Sequence, residues 1–386
     1  MKTIIVLGTG LAAVGVIRQT MKSTVLNRKD IKMIVVSPST HFVWTIGMPR
    51  AIVPGQFTDD KVLYELQPSF KNYPSDKFEF VLGKAINLDP VGKTVTVALN
   101  GPVSTRNITY DTLIVATGAS SRDEMPWKAL DNSENTIDKL HSVQEKIKGA
   151  KIIVVAGGGI TGVEVAGELG YEYSRNDSKK VYYIHGDNLP LSPVALPSVR
   201  KQIRAELDKL KVKTIPNTKV TNVSTKGADM ILELTAADGS TTTLTTQAYI
   251  PALGVVPNTS FAPASILNAG GYIKQIKSLQ VDGHSDIFVL GDAGSLEDNR
   301  GGIADLQAQH LIKALPLYLE GKTMPEYKPM EKPIFAITVG RGRGTGQMGS
   351  FKLFSFLVWY MKGRYMGTDY AGALAAGKRT ITTKFE

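Results

Sequence analysis

Two stretches of the chain share one pattern of apolar and glycine positions. Residues 4–12 read IIVLGTGLA, and residues 152–169 read IIVVAGGGITGVEVAGEL. In each, a short apolar run that fits a buried strand is followed by closely spaced small residues and then by a helix-like segment. The small residues are Gly8, Gly10 and Ala13 in the first stretch, and Gly157, Gly159 and Gly162 in the second. The pattern predicts two strand, turn and helix units.

The remaining pattern extends both units into α/β domains. In the first, we predict strands at residues 31–37 and 110–118 and a hairpin around residues 90–93. A polar, proline-containing linker is predicted at residues 119–136. In the second, we predict helices at 138–148 and 196–210, a strand at 180–186, and a second sheet completed by MILELTA (230–236) and TTTLTTQAYI (241–250).

Two later stretches, YIPALGVVPN (249–258) and DIFVLGDAG (286–294), have strand and glycine patterns that return the chain to the first unit. We therefore predict an inserted second domain. The predicted divisions are a first domain at 1–118 and 249–324, a second domain at 119–248 and a small C-terminal α+β domain at 325–386. The fold class is α/β with two Rossmann-like domains.

The chemistry of both glycine turns points to dinucleotides. Only glycine allows so sharp a turn beside an approaching pyrophosphate, and a helix amino terminus favours the anion. One copy is weak evidence, since such turns also occur as plain chain reversals. Two copies in the same structural context favour two bound dinucleotides.

Composition narrows the class of protein. The chain has 386 residues, 42% hydrophobic and 21% charged, and no apolar run of about 18 residues that could span a bilayer. We expect no signal peptide, no transmembrane helix and an intracellular, cytoplasmic protein. With no cysteine and five scattered histidines, thiol chemistry is excluded and we predict no metal site. The net charge of +10 leaves two interpretations open, a solvated surface or an anionic partner such as nucleic acid or lipid.

The order of these motifs resembles one family of enzymes. GxGxxA, YDTLIVATG, GGGITGVEVAGEL, YIPALGVVPN and IFVLGDAG, with a similar tail at 327–351, resemble the FAD-dependent pyridine nucleotide oxidoreductases. Within them, the likeness is strongest to the apoptosis-inducing-factor-like, AMID-type group that includes the ferroptosis suppressor proteins. The resemblance implies FAD on the first domain and NADH or NADPH on the second.

The resemblance also implies residue roles at the flavin. Arg50 would lie near the pyrophosphate, Ala85 would contact adenine through its backbone, and Asp292 would bind the ribityl chain. Positions implied to bind either cofactor are Gly8, Thr9, Gly10, Leu11, Ala12, Thr117, Gly118, Gly157, Gly159, Gly162, Gly254 and Gly291. Ser37 stands where an acid usually binds the ribose diol, so we expect FAD to be held less tightly there or through other groups.

At the second domain, His185 occupies the strand end where an acid would repel a 2′-phosphate. Use of both NADH and NADPH is therefore predicted, although His185 could equally be a solvated strand end. Glu164 would orient the nicotinamide, with a solvated helix carboxylate as the alternative. Lys362 resembles a lysine that the family brings to the flavin and quinone region.

The resemblance implies an NAD(P)H:quinone oxidoreductase with a ubiquinone-like substrate. The alternatives are a reductase of a small redox protein and a signalling flavoprotein that binds nucleic acid. Residues 351–361 are rich in aromatic and aliphatic side chains. A helix that is apolar nearly all round favours burial, and contact with a membrane or lipid surface is the alternative.

Overall fold

The structure is a computed structural model that describes residues 1–101 and 104–385. The strands are β1 (Lys2–Leu7), β2 (Ile31–Ser37), β3 (His41–Val43), β4 (Leu63–Glu65), β5 (Phe78–Asp89), β6 (Thr94–Leu99), β7 (Thr105–Thr109), β8 (Thr112–Val115), β9 (Ala119–Ser121), β10 (Ile152–Ala156), β11 (Lys180–Ile184), β12 (Lys213–Ile215), β13 (Thr218–Lys226), β14 (Asp229–Ala236), β15 (Thr241–Thr246), β16 (Ala248–Pro251), β17 (Val255–Pro257), β18 (Gln280–Val281), β19 (His284–Val289), β20 (Ile334–Val339), β21 (Arg343–Met348) and β22 (Phe351–Lys352). The α-helices are α1 (Val14–Thr20), α2 (Met48–Ala51), α3 (Gln67–Phe70), α4 (Ser133–Gly149), α5 (Ile160–Glu172), α6 (Pro197–Lys209), α7 (Gly301–Leu319), α8 (Ser355–Val358) and α9 (Thr368–Ala375). The predicted domain bounds also include residues 102, 103 and 386, which lie outside the described residues.

The first sheet has the order β18-β19-β8-β1-β2-β5-β6-β7. Its central pairs are parallel, from β19 through β8, β1 and β2 to β5. Residues 3–7 of β1 are all buried, as expected for a strand covered on both faces. The predicted hairpin is confirmed, since β5 and β6 pair antiparallel around residues 90–93. The chain leaves this sheet after β8 and returns at β18 and β19, as an insertion requires.

The inserted part contains a parallel sheet of order β12-β11-β10-β16 and an antiparallel sheet, β13-β14-β15. The prediction that residues 230–236 and 241–250 complete the second sheet is wrong for β14 and β15, which belong to the separate antiparallel sheet, and confirmed for β16, which pairs with β10. The predicted boundary at residue 249 cuts through β16, which pairs with β10. Sheet pairing therefore moves that boundary beyond Pro251.

A two-stranded ribbon connects the two α/β parts. In it, β9 pairs antiparallel with β17. The predicted linker at 119–136 is therefore wrong for residues 119–121, and also for its last residues because α4 begins at Ser133. The Asn132 side chain caps α4 by accepting a hydrogen bond from the Asn135 N–H at 2.8 Å. The two segments that connect the α/β parts are thus held together by the pairing of β9 with β17.

The C-terminal part packs against both domains. Its strand β20 crosses α5 at Gly167, where an added Cβ would lie 2.6 Å from the backbone nitrogen of Gly340. One hydrophobic core contains buried residues of β20, α5 and α9 together, for example Val339, Val165 and Leu374. The predicted α/β fold class with a small α+β tail is confirmed.

Candidate functional site

A cavity of about 1020 Å³ lies between the two glycine turns. Gly8 and Gly10 line one side of it, and Gly157 and Gly159 line the other. The C-terminal part closes a further side with residues such as Phe335 and Lys362. All three parts of the fold therefore contribute to one space.

The two turns are built in the same way. Gly8 has φ of 103° and Gly157 has φ of 130°, values that side-chain-bearing residues rarely adopt. A Cβ at Gly8 would lie 2.3 Å from the Ala116 carbonyl oxygen, and one at Gly157 would lie 2.2 Å from that of Ala252. Glycine is required because each turn touches the backbone that follows the neighbouring parallel strand.

The later positions of each turn differ from the first. A Cβ at Gly10 or Gly159 would meet no atom within 4 Å, which leaves the room that a pyrophosphate needs. Gly162 does not line the cavity. A Cβ there would lie 2.0 Å from the Gly157 carbonyl oxygen, so this glycine lets α5 pack on its own turn. Both cradles fit a dinucleotide phosphate.

At the first turn, most of the predicted flavin positions line the cavity. These are Gly8, Thr9, Gly10, Leu11, Ala12, Ser37, Thr117, Gly118, Gly291 and Asp292, and Gly254 joins them from the ribbon. The Ser37 hydroxyl lies 2.9 Å from that of Thr9 and donates to the Ser39 carbonyl at 3.1 Å. Its hydrogen bonds thus hold the turn together.

Asp292 forms an ion pair that the sequence did not indicate. The Lys128 ammonium donates to the Asp292 carboxylate at 2.6 Å, and both residues line the cavity. Lys128 lies in the segment interpreted as a linker, where a lone lysine carries no motif. Its position follows from the neighbouring Trp127, whose indole N–H donates to the Pro251 carbonyl at 2.8 Å.

Arg50 and Ala85 do not line the cavity, so the structure does not support the two contacts implied for them. Ala85 pairs with Val97 in the hairpin. Arg50 is buried, and its guanidinium donates to both oxygens of the buried Glu168 carboxylate at 2.7 and 3.1 Å. It also donates to the carbonyls of Gly363 and Arg364 at 2.8 and 3.1 Å. Arg50 therefore fixes the turn that follows Lys362.

The two predicted catalytic residues are in direct contact. The Lys362 ammonium donates to the Glu164 carboxylate at 2.6 Å and to the Ala336 carbonyl at 3.1 Å. Glu164 is only 3% exposed and also accepts from the Thr338 N–H and hydroxyl at 3.0 and 3.2 Å. Burying a carboxylate is costly unless it is paired and hydrogen-bonded, and these partners satisfy it. The alternative of a solvated helix carboxylate at Glu164 is therefore wrong.

His185 lines the cavity at the end of β11 and is 2% exposed. Both ring nitrogens are enclosed by protein, and neither has a hydrogen-bond partner among the described residues; the Tyr183 ring lies 5.1 Å away between centroids. Burial lowers the pKa of the imidazole, which favours its neutral form. The interpretation as a solvated strand end is wrong, because both ring nitrogens are enclosed by protein.

The apolar segment of the tail is exposed, so the interpretation that favoured burial is wrong. Phe351, Phe354 and Phe356 are 75%, 81% and 71% exposed. With Ile334, Met348, Leu357, Tyr360, Met361 and Tyr365 they form what we call the aromatic face. In this segment α8 has one turn and continues as a π-helical turn at Trp359–Gly363, and Val358 and Gly363 are its buried residues.

The described residues lack a membrane-spanning helix and a metal-binding cluster. Within residues 1–101 and 104–385, no helix is long and apolar enough to cross a bilayer. Over the same residues, no group of three or more histidine, aspartate or glutamate side chains is arranged to hold a metal ion.

Comparison with known proteins agrees with this geometry. Oxidoreductase ptaL of Pestalotiopsis fici is 36% identical over 364 residues, covering 93% of this chain and 94% of that protein. Human ferroptosis suppressor protein 1 is 24% identical over 366 residues, covering 94% and 92%. The sulfide:quinone oxidoreductase of Aquifex aeolicus has the same fold, with a TM-score of 0.77, 16% identity and coverage of 98% and 92%.

The resemblance predicted from the motifs is confirmed, and with it FAD and NAD(P)H as the cofactors that the two cradles fit. A family model described as pyridine nucleotide-disulphide oxidoreductase matches residues 2–309. The chain belongs to the pyridine nucleotide-disulphide oxidoreductase family.

Proposed function

We propose that this protein is an NAD(P)H:quinone oxidoreductase. The observation that carries the proposal is the Lys362–Glu164 ion pair, which lies on the wall of a cavity shared by both dinucleotide cradles. Because the chain has no cysteine, a disulfide relay is excluded and the electrons must go directly to an acceptor. The Aquifex aeolicus protein of the same fold is a sulfide:quinone oxidoreductase, which adds support.

When bound, the nicotinamide and flavin supply the redox chemistry, a hydride transfer followed by delivery of two electrons. Overall, NAD(P)H, one proton and the quinone are converted to NAD(P)⁺ and the quinol. The protein's task is to position both ligands and to stabilise charge. Lys362 provides a fixed positive charge for the negative charge that develops on an acceptor oxygen. The Glu164 carboxylate and the Ala336 carbonyl accept from that ammonium, and Thr338 in turn donates to Glu164.

The test is steady-state oxidation of NADH and NADPH by the yellow, FAD-loaded protein with a short-chain ubiquinone. We expect turnover with the quinone and none with a disulfide such as oxidised glutathione. Absence of turnover in a fully flavin-loaded preparation would contradict the proposal. Reduction of a small iron–sulfur protein, or salt-sensitive DNA binding without quinone turnover, would favour one of the alternative functions.

We also propose that the aromatic face rests on a lipid surface, from which a quinone enters the cavity. Met361 and Ile334 are 63% and 50% exposed on this face and also line the cavity, so the face and the cavity are continuous. Exposed aromatic rings beside basic residues suit an anionic lipid–water interface. Lys352 lies within the segment, and the Arg364 guanidinium lies 4.1 Å from the centre of the Tyr360 ring.

Sedimentation with vesicles of phosphatidylcholine and phosphatidylserine tests this contact. The double variant Phe354→Ser/Phe356→Ser should lose most vesicle binding while keeping its turnover with a water-soluble quinone. The control is Val91→Ser/Val194→Ser, which removes two side chains that are 86% and 71% exposed elsewhere. Equal binding by both double variants would exclude the aromatic face as the docking surface.

A further inference from the structure

One buried arginine joins all three parts of the fold. Arg50 lies on α2 of the first domain and is 3% exposed. Its Nε and Nη2 donate to the two carboxylate oxygens of Glu168 on α5, at 3.1 and 2.7 Å. Its Nη1 and Nη2 also donate to the carbonyls of Arg364 and Gly363 in the C-terminal part, at 3.1 and 2.8 Å. The guanidinium thus connects α2 both to α5 and to the turn that follows Lys362.

Both segments that Arg50 contacts carry one member of the ion pair on the cavity wall. Glu168 lies four residues after Glu164 on α5, so the two carboxylates are on the same face of the helix, one turn apart. Gly363 directly follows Lys362, whose ammonium donates to the Glu164 carboxylate at 2.6 Å. The position of each partner therefore depends on a segment that Arg50 holds.

The contacts of Arg50 require a guanidinium and not merely a positive charge. A guanidinium presents planar N–H donors in fixed directions, whereas a lysine ammonium is a compact point charge. Burial raises the pKa of the Glu168 carboxyl, and the Arg50 guanidinium counteracts this by favouring the ionised form. One charge is enough for that task, so the two further contacts with backbone carbonyls serve to fix the turn.

We propose that Arg50 is a positioning residue, which acts on the reaction through Lys362 and does not bind the flavin. It holds α5 and the turn at a fixed separation, so that the Lys362 ammonium stays directed at the acceptor. Arg50 does not line the cavity, as expected for a residue that acts from behind its wall. This inference rests on the proposed function in one respect, that Lys362 stabilises charge on the acceptor.

Arg50→Lys removes the contacts with the turn and keeps a charge for Glu168. The Trp44 indole N–H donates to the Met366 carbonyl at 2.8 Å and still holds the far end of the turn. We therefore expect FAD retention and the melting temperature to match the wild type. The kcat with a short-chain ubiquinone should fall about tenfold, because a small displacement of a reacting group is costly. The KM for NADH should change less than about twofold, because nothing at the second cradle is altered.

Arg341→Met is the matched control. The Arg341 guanidinium donates to Glu172 of α5, and its Nε lies 3.7 Å from a carboxylate oxygen of Glu168. Among the described residues, it donates no hydrogen bond to residues 359–366. Because its pairs are partly exposed, its loss should cost little, and kcat should stay within about twofold of the wild type.

A double-variant cycle with Lys362→Met separates positioning from general support of the fold. If Arg50 acts through Lys362, adding Arg50→Lys to the Lys362→Met protein should change kcat by less than about twofold. The same tenfold fall in both backgrounds would overturn the proposal. Loss of FAD from Arg50→Lys would also overturn it, in favour of a contact between Arg50 and the flavin.

Chemical labelling of Lys362 tests the positioning without turnover. In brief reaction with acetic anhydride, Lys362 should be labelled severalfold faster in Arg50→Lys than in the wild type. Peptide mass spectrometry measures the rates, with the exposed Lys378 as internal reference. Equal rates would overturn the proposal. Faster labelling in a protein that does not reduce quinones would keep the positioning of Lys362 by Arg50 and remove the proposed function.

Discussion

The two halves of the cavity contain the same structural features, a glycine turn and a lysine–carboxylate pair, but the carboxylates differ in their hydrogen-bond partners. Each has a glycine turn pressed against a neighbouring backbone, and each has a lysine–carboxylate pair with a 2.6 Å contact, Lys128–Asp292 in one half and Lys362–Glu164 in the other. Glu164 also has two contacts from Thr338, whereas Lys128 is the single side-chain partner of Asp292 among the described residues. Glu164 is therefore held by more partners than Asp292, and we propose that Asp292 exchanges Lys128 for a ligand hydroxyl.

The strand ends differ in the opposite sense. Ser37 at the end of β2 is satisfied within the protein by Thr9 and Ser39. The buried imidazole of His185 at the end of β11 has no hydrogen-bond partner among residues 1–101 and 104–385. The first half thus combines a carboxylate paired with one lysine and a strand end satisfied within the protein, whereas the second combines a carboxylate with several partners and a strand end that is enclosed but unsatisfied. Polar groups that are paired within the protein fix its geometry.

The largest expected effect comes from the turns themselves. Gly8→Ala should abolish FAD retention, because its Cβ would be forced against the Ala116 carbonyl in a backbone conformation that already costs on the order of 1 to 2 kcal/mol for alanine. Gly157→Ala should keep FAD but lose binding of 5′-AMP. Absorbance of the purified variants and calorimetry measure the two losses separately.

Gly10→Ala is the matched control for this comparison. Its Cβ would meet no protein atom, so the melting temperature of the flavin-free protein should match that of the wild type while FAD binding falls. If Gly10→Ala instead bound FAD normally, the open space at that turn would not be where the pyrophosphate lies.

A loss of about a hundredfold in turnover is expected for Lys362→Met, a size typical of removing one group that stabilises developing charge. FAD should stay bound, because Lys362 belongs to the half of the cavity that is held by Glu164. Lys378→Met, an exposed lysine of the same C-terminal part, should retain full turnover with a water-soluble quinone. Steady-state kinetics would contradict the assignment if both variants behaved alike.

Asp292→Asn should weaken FAD retention by on the order of 1.5 to 3 kcal/mol, about ten- to a hundredfold, because a charge-assisted hydrogen bond is lost. Glu164→Gln should instead retain FAD and slow flavin reduction by NADPH. Fluorescence titration of the flavin-free proteins measures FAD binding, and stopped-flow kinetics measure flavin reduction, so the two effects are determined separately. Equal loss of FAD in both variants would show that the carboxylates do not have different tasks.

The smallest effect concerns pH and the unpaired strand end. Burial lowers the pKa of His185 in the folded protein, whereas the unfolded chain takes up a proton at about pH 6.5. The unfolded state therefore binds more protons below that pH, and stability falls as the pH is lowered through it. We expect His185→Phe to show a smaller drop in melting temperature between pH 7.5 and 5.5 than the wild type.

The same measurement on His310→Phe provides a comparison, because burial also lowers the pKa of His310. Each variant should remove part of the drop. An unchanged drop in His185→Phe would mean that the imidazole is not held neutral at the cavity.

The sequence by itself determined the local features. A turn that needs positive φ and close backbone contact can be recognised from glycine spacing, because its constraint acts within a few residues. The positions of Ser37 and His185 at the ends of β2 and β11 could be predicted for the same reason, since each lies a short distance along the chain from its glycine turn. The inserted domain was also predicted, from the order of strand and glycine patterns along the chain.

Only the tertiary structure decided the contacts between distant segments. Glu164 and Lys362 were predicted separately, and their ion pair joins positions 198 residues apart. Lys128 carries no motif, and the hydrogen bond of the neighbouring Trp127 to Pro251 helps to place it at the cavity. Arg50 fits a cofactor contact by sequence position, yet it pairs with Glu168 because α2 packs against α5. The aromatic face is exposed because burial depends on what packs against a segment, and no local pattern of apolar residues specifies that neighbour.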